Sequence, residues 1–294
     1  MKHEGNLRGI IYMLISMAGF ALADTMIKVA TGTVAPAQVF LLMIGGSLLV
    51  FLAMGLYQND RLLDKTAFAP ILLIRYLAEI SGMMGMVMAL SLVPLSIVGA
   101  VTQATPILVA VAAVIFLGEK VSWRRWSAIA VGFVGVLLII QPGSQGFDNS
   151  VLWAVLAMVA LSVRDLSTRM IPAGIPSTSL ASYTMLATIP AAFAWVRLEG
   201  LPIIPPQMNW TLMVSVVGLG SIGYMFLIAS LRMSEVSIVT PFRYSRIIFL
   251  LVLGIVIFDE RPGRLMLIGA ALVIASGIYM IWRERRVRQD QQPQ

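Results

Sequence analysis

Asp24-Thr25-Met26-Ile27-Lys28, DTMIK, places an acid and a base inside the apolar run GIIYMLISMAGFALADTMIKVATG at residues 9–32. Asp165-Leu166-Ser167-Thr168-Arg169, DLSTR, does the same in a second apolar run. Both of its charged residues lie 141 positions after their counterparts. The surrounding runs decide the fold class. A helix needs about 20 mostly apolar residues to cross a hydrocarbon layer of roughly 30 Å. Such runs, separated by short polar joints, make up almost the whole chain.

Of 294 residues, 59% are hydrophobic and 12% are charged, against roughly 25% charged in an ordinary soluble domain. The sequence is that of a membrane protein with no room for a soluble domain. A net charge of +7 would suggest nucleic acid in a soluble protein, but in a membrane protein Lys and Arg mark cytoplasmic segments, so no nucleic-acid partner is expected. The chain has no cysteine, and His3 is its only histidine. Thiolate, disulfide, metal and His-base chemistry are therefore not expected, nor is any cofactor.

Ten spans are predicted, at about 9–30, 36–57, 69–92, 96–117, 123–140, 150–171, 177–197, 210–232, 237–258 and 264–282. An even count puts both termini on one side. The basic cluster Arg283, Arg285, Arg286 and Arg288 assigns that side to the cytoplasm. Cytoplasmic segments then carry 13 Lys and Arg residues and external segments carry Arg197, Arg261 and Arg264. Lys2, Arg8 and the ALA before Asp24 also resemble a secretory leader with its cleavage site. Cleavage there would remove the partner of DLSTR and leave nine helices.

The offset of 141 extends beyond the two charged motifs. LSLVPLSIV at 90–98 faces LRMSEVSIV at 231–239, and Glu119 after the fourth span faces Glu260 after the ninth. A five-helix unit therefore occurs twice, and because five is odd the second copy enters from the opposite side. The expected fold is all-α and polytopic, with ten transmembrane helices forming two inverted five-helix repeats. The first repeat spans 1–141 and the second 150–282, followed by a basic tail at 283–294. Inverted repeats offer two conformations related by exchange of the halves, which is the logic of alternating-access transport.

The chain resembles the drug/metabolite transporter superfamily, and within it the ten-helix EamA family. The resemblance is carried by LIRYLAEI in the third span, by ALSLVPLSIVGAVTQATPILVAVAAVIFLGEKVSWRRW through the fourth, and by GFVGVLLIIQPG in the fifth. TPFRYSRIIFLLVLGIVIFDERPGRLMLIGAALVIASGIYMIWRE carries it through the last two spans. Pro106 with Gly118-Glu119 matches the family's fourth-helix ending, and Phe258 through Pro262 resembles its second-half equivalent. The resemblance implies a bacterial inner-membrane carrier of small metabolites, with a central cavity lined by helices 1, 3, 4, 6, 8 and 9. It does not select among amino acids, nucleotide-like metabolites, vitamins and drugs.

Charge within the spans narrows that choice. A charged residue near the bilayer centre costs on the order of 2.5–3.5 kcal/mol on insertion scales, so it needs a partner or a wet cavity. Eight candidates stand out: Asp24, Lys28, Arg75, Glu79, Arg164, Asp165, Arg243 and Arg246, with Arg169 at a border. Asp24 with Lys28 and Arg75 with Glu79 are i,i+4 neighbours that can pair on one helix face. At 1.5 Å per residue, Asp24 lies about 22 Å from the cytoplasmic start of its helix and Asp165 about 21 Å from the external start of its own. The two motifs are therefore expected at opposite ends, as gate elements. Glu79, near mid-bilayer, is a candidate proton carrier because hydrocarbon favours a neutral carboxyl; a fixed bridge to Arg75 is the alternative.

Arg243 and Arg246 share a face of the ninth span and repel each other unless an anion or separate acids neutralise them. Five cations face three anions, so two positive charges are left over, in a geometry suited to a carboxylate or phosphate. By the offset, these arginines correspond to Thr102 and Thr105, with Gln103 beside them. Arg243, Arg246, Tyr244, Thr102, Gln103, Thr105 and Arg164 are the candidate substrate-binding residues; Asp24, Lys28, Arg75, Glu79, Asp165 and Arg169 are the candidate gating or proton-coupling residues. Tyr183, Tyr224 and Trp153 could stack on a planar ligand or simply pack. GLGSIG at 218–223 is a helix-packing stripe rather than a nucleotide loop, since it follows no strand.

The expected function is secondary transport of a small anionic or zwitterionic metabolite, such as an amino acid, coupled to protons or run by exchange. A facilitator or exchanger of a nucleotide-like metabolite or vitamin is the alternative. A membrane-embedded enzyme would need clustered catalytic groups that the sequence does not show. The partners expected are the substrate and the bilayer, with a homodimer left open.

Overall fold

The computed structural model describes residues 2–58, 69–118, 123–142, 148–171, 175–233 and 239–290. Its helices in chain order are α1 (Lys2–Thr31), α2 (Pro36–Tyr57), α3 (Pro70–Leu92), α4 (Leu95–Thr102), α5 (Thr105–Leu117), α6 (Trp123–Ile140), α7 (Val151–Arg169), α8 (Ser177–Leu198), α9 (Trp210–Met233), a 3₁₀ turn (Thr240–Tyr244), α10 (Ser245–Phe258) and α11 (Arg264–Asp290). Among the described residues, eight apolar stretches are long enough to cross a bilayer, and two shorter ones, Trp126–Ile140 and Arg264–Met280, stand where the fifth and tenth spans are expected. Leu73, Phe133, Val214 and Val256 are exposed on the outer surface, which suits a fold whose solvent is lipid.

Two spans differ from the uniform helices that hydropathy predicts. The fourth is broken between α4 and α5, and the ninth begins as a 3₁₀ turn before α10. Pro106, in the first turn of α5, has no N–H to give to the Thr102 carbonyl. That carbonyl instead accepts a 2.7 Å bond from Thr105 Oγ1. In the ninth span Pro241 stands at the start of the 3₁₀ turn. The breaks lie at Gln103-Ala104 and Tyr244-Ser245, again 141 residues apart. The last helix, α11, continues past the tenth span through Asp290.

The packing follows the repeat. α1 lies on α9 and α3 on α7, while α2 pairs with α8, α6 with α11 and α4 with α10. Exchanging the first five spans with the last five turns the α1–α9 contact into α7–α3 and maps each of the other three pairs onto itself. Individual contacts obey the same exchange. A Cβ added at Gly223 of α9 would meet the Phe20 ring at 3.1 Å, and one added at Gly82 of α3 would meet Leu161 at 3.0 Å. Both residues of the second pair are 141 positions from those of the first. The C-caps of α5 and α10 correspond too, with Gly118 and Asp259 at φ 65° and 51°; these are left-handed ends at which only glycine lacks a steric cost.

Small residues allow this closeness. Ser16 Oγ donates to the Gly223 carbonyl at 2.7 Å and Ser230 Oγ to the Gly9 carbonyl at 2.6 Å, joining α1 to α9. Between α6 and α11, a Cβ at Gly135 would fall 2.7 Å from the Gly269 carbonyl, and one at Gly269 would fall 2.5 Å from that of Gly135. In lipid, such direct backbone approach and interhelical hydrogen bonding replace the hydrophobic drive that holds soluble cores.

Candidate functional site

The intramembrane charges form two clusters and one clamp. In the first cluster, Arg246 of α10 bonds Asp24 of α1, with Nη2 and Nε at 2.5 and 3.2 Å from Oδ2. Asp24 is buried. The Phe20 ring, one turn earlier on α1, lies 5.5 Å from the Arg246 guanidinium. The expected Asp24–Lys28 pair is not what the fold makes. Lys28 Nζ turns away to the carbonyls of Leu90 and Val93, at 3.2 and 2.6 Å, and lies 5.4 Å from the Phe258 ring centre. The long lysine stem can reach the unsatisfied carbonyls at the C-terminus of α3, which attract a cation. The planar arginine fork suits the carboxylate better.

The second cluster joins α3, α7 and α8. Arg164 Nε and Nη2 bond Asp165 Oδ1 at 2.9 and 2.8 Å, and Nη1 reaches Glu79 Oε1 at 3.2 Å. Arg75 approaches Glu79 at 3.8 Å, the predicted i,i+4 pair in a looser form. Its Nε donates to Thr168 Oγ1 at 2.9 Å and its Nη1 donates to Thr184 Oγ1. Arg164 is therefore held by two acids and does not join Arg243 and Arg246. Nor does Asp165 reach a helix opposite as Asp24 does. The residue corresponding to Arg246 is Thr105, so the bond turns back to the sequence neighbour. The Arg169 side chain lies outside the described residues.

The two arginines of the ninth span also part company. Arg246 has its own acid, which corrects the expectation that both were left over. Arg243 is exposed, and among the described residues its guanidinium has no ion-pair partner. Its carbonyl accepts a 3.0 Å bond from Gln103 Nε2, which joins the two helix breaks. Thr102 Oγ1 bonds the Val98 carbonyl at 2.8 Å and so serves its own helix. Tyr244 is buried with its hydroxyl unbonded. Tyr183 packs with Leu72 and Tyr76 and Tyr224 stacks edge-on with Phe51 at 5.1 Å, so these two are placed in helix packing, whereas Trp153 is exposed.

The clamp is a feature that spacing alone marked only as a repeat landmark. Glu260, just past α10, accepts the N–H groups of Leu95 and Ser96, the latter at 2.9 Å, together with the Ser96 hydroxyl at 2.6 Å. A carboxylate thus caps the positive end of α4. Gly254 makes room for it, since a Cβ there would fall 2.5 Å from Glu260 Oε2. Lys28 on the carbonyl end of α3 and Glu260 on the amide end of α4 hold the α3–α4 corner from both sides. The counterpart Glu119 lies outside the described residues.

A helical bundle whose packing repeats on exchange of its halves, with two broken spans and buried ion pairs between helices, has a counterpart among known proteins. The sequence profile of the EamA-like transporter family matches residues 7–141 and again residues 149–283. The chain belongs to the EamA-like transporter family. It is 24% identical over 280 residues to an S-adenosylmethionine uptake transporter of Rickettsia felis, covering 95% of this chain and 94% of that protein. It is 25% identical to a riboflavin transporter of Rhizobium johnstonii over 70% of this chain and 68% of that one. It is 24% identical to the pseudopaline exporter CntI of Pseudomonas aeruginosa, covering 92% and 94%. A crystal structure with 20% identity superposes at a TM-score of 0.59, covering 98% of this chain and 99% of the other, and shows the same fold. This family member is a multi-pass membrane protein, and the family and its relatives are small-molecule transporters rather than enzymes.

Proposed function

We propose that this chain is a secondary carrier of a small zwitterionic or anionic metabolite bearing a carboxylate, and that it works by alternating access across the inner membrane with both termini in the cytoplasm. The halves 1–141 and 150–282 act as its inverted repeats. The observation that carries the substrate class is Arg243, an exposed guanidinium with no acid partner among the described residues, one helical turn from Arg246 and beside a broken segment. Half-helix ends and unwound backbone at mid-membrane are where carriers of this architecture bind charged groups, and a free guanidinium fork suits a carboxylate.

In this reading Gln103, Thr102, Thr105 and Tyr244 border the site, and Arg246 with Asp24 forms its second charged wall. An amino-acid dipole matches that wall: its carboxylate meets Arg243 and its ammonium the Asp24 side. S-adenosylmethionine, the substrate named for the Rickettsia felis relative, carries such an end, whereas riboflavin carries no carboxylate. The Glu79–Arg164–Asp165 cluster with Arg75 acts as the gate between α3 and α7. Glu79, held between two guanidiniums, serves that gate rather than carrying protons, which favours exchange as the transport mode.

Purified protein in liposomes tests the reading with S-adenosylmethionine and riboflavin side by side. Saturable, trans-stimulated uptake of the amino-acid-bearing solute, reduced at least tenfold by Arg243→Ala, is the expected result, the factor corresponding to about 1.4 kcal/mol of charge-assisted bonding. Uptake of riboflavin alone, unchanged in Arg243→Ala, would contradict it.

A further inference from the structure

Gln103 and Tyr244 hold corresponding positions at the two helix breaks, 141 residues apart, but they are bonded differently. Gln103 Nε2 donates to the carbonyl of Arg243, the residue before Tyr244. The corresponding bond from the other half would run from the Tyr244 hydroxyl to the Thr102 carbonyl. It is absent: Tyr244 is 4% exposed and its hydroxyl has no hydrogen-bond partner among the described residues. The phenol lies instead against α11, where a Cβ at Gly277 would collide with its hydroxyl and ring. The residue corresponding to Gly277 is Val136 on α6. The glycine is thus on the side that has to accept the larger side chain.

We propose that Gln103 and Tyr244 are the two alternating halves of one switch. In the conformation seen here Gln103 ties the breaks together and Tyr244 is parked on Gly277. In the conformation reached by exchanging the halves, Tyr244 donates to the Thr102 carbonyl and Gln103 withdraws toward α6. The Thr102 carbonyl already accepts from Thr105 Oγ1 and has a second lone pair available. A buried hydroxyl without a partner is unfavourable, so the parked tyrosine biases the protein toward leaving this conformation. Gln103 and Tyr244 are positioning residues of the transport cycle, distinct from the charges that meet substrate. The inference rests on the alternating-access reading.

The chain has no cysteine, so two spin labels can be placed without removing native residues. Thr33→Cys and Arg261→Cys are exposed and flank the end at which Lys28 lies over Phe258. Pulsed electron paramagnetic resonance in lipid nanodiscs then reads the distance between them. Two populations are expected, the shorter matching this structure. Tyr244→Phe enriches the shorter population, whereas Gln103→Met and Gly277→Ala each enrich the longer. Each changes the ratio roughly threefold to tenfold, as expected for one hydrogen bond. Two populations that none of the variants redistributes, or that Tyr244→Phe and Gln103→Met move in the same direction, would overturn the switch while leaving alternating access standing. A single distance in every protein would overturn both. Gln103→Met and Tyr244→Phe remain decisive should Gly277→Ala fail to fold.

Discussion

Removing the Asp24 charge isolates the contact between α1 and α10. The side chain of Asp24 is 8% exposed and that of Arg246 is 26% exposed, so Asp24→Asn leaves a mostly buried guanidinium without its anion. Breaking a fully buried pair costs about 3–5 kcal/mol. The partial exposure of Arg246 and its remaining contact with the Phe20 ring reduce this to about 2–3 kcal/mol. The double variant Asp24→Asn with Arg246→Gln strands no charge and should lose much less than the sum of the single changes, giving a coupling of about 2 kcal/mol. The control cycle uses Lys28→Met. Because Lys28 bonds backbone carbonyls instead, Asp24 and Lys28 should couple by less than about 0.5 kcal/mol. Reversible unfolding in mixed micelles, followed by the fluorescence of the six tryptophans, supplies the free energies. Additive Asp24 and Arg246 losses, or a stronger Asp24–Lys28 coupling, would refute the pairing.

Three further outcomes follow from the packing. Glu260→Gln keeps the side-chain size but removes the charge that caps α4 through Leu95 and Ser96, and should cost about 1–2 kcal/mol in the same unfolding assay. Arg164→Lys cannot reproduce a planar fork shared by Glu79 and Asp165. Its expected loss is about 2–3 kcal/mol, with faster tryptic cleavage as the loosened α3–α7 contact opens. Gly269→Ala places a methyl against the Gly135 carbonyl and should destabilise by about 1–3 kcal/mol, read as a lower midpoint in the unfolding curve.

The span count and the repeat were legible because both rest on length and hydropathy, properties local to the chain. DTMIK and DLSTR gave the offset, and the Gly223–Phe20 and Gly82–Leu161 contacts reproduce it. The helix breaks were hidden because a span-length hydropathy window averages the polar Thr102-Gln103-Ala104-Thr105 with the apolar residues on either side. Pro106 was the available signal, since a proline there leaves a carbonyl one turn back without its donor. Charge partners were misread where the reasoning used spacing within one helix. Asp24 has Lys28 four residues away, but its partner is Arg246, 222 residues distant, and nothing in local periodicity encodes such a choice. The count of cations against anions fared better, because it is independent of who pairs with whom. It anticipated unpaired positive charge in the ninth span and erred in including Arg246 along with Arg243.

Exchange against a mixture of solutes tests whether Arg243 selects a carboxylate-bearing solute for carriage. Liposomes containing the protein are loaded with a defined set of amino acids, vitamins and nucleosides, and the solutes exchanged are identified by mass spectrometry for the wild type and for Arg243→Ala. The wild type should exchange solutes bearing a carboxylate, with saturation, and Arg243→Ala should lose them at least tenfold while retaining its fold. Exchange confined to solutes without a carboxylate, or full carboxylate exchange in Arg243→Ala, would contradict that selection.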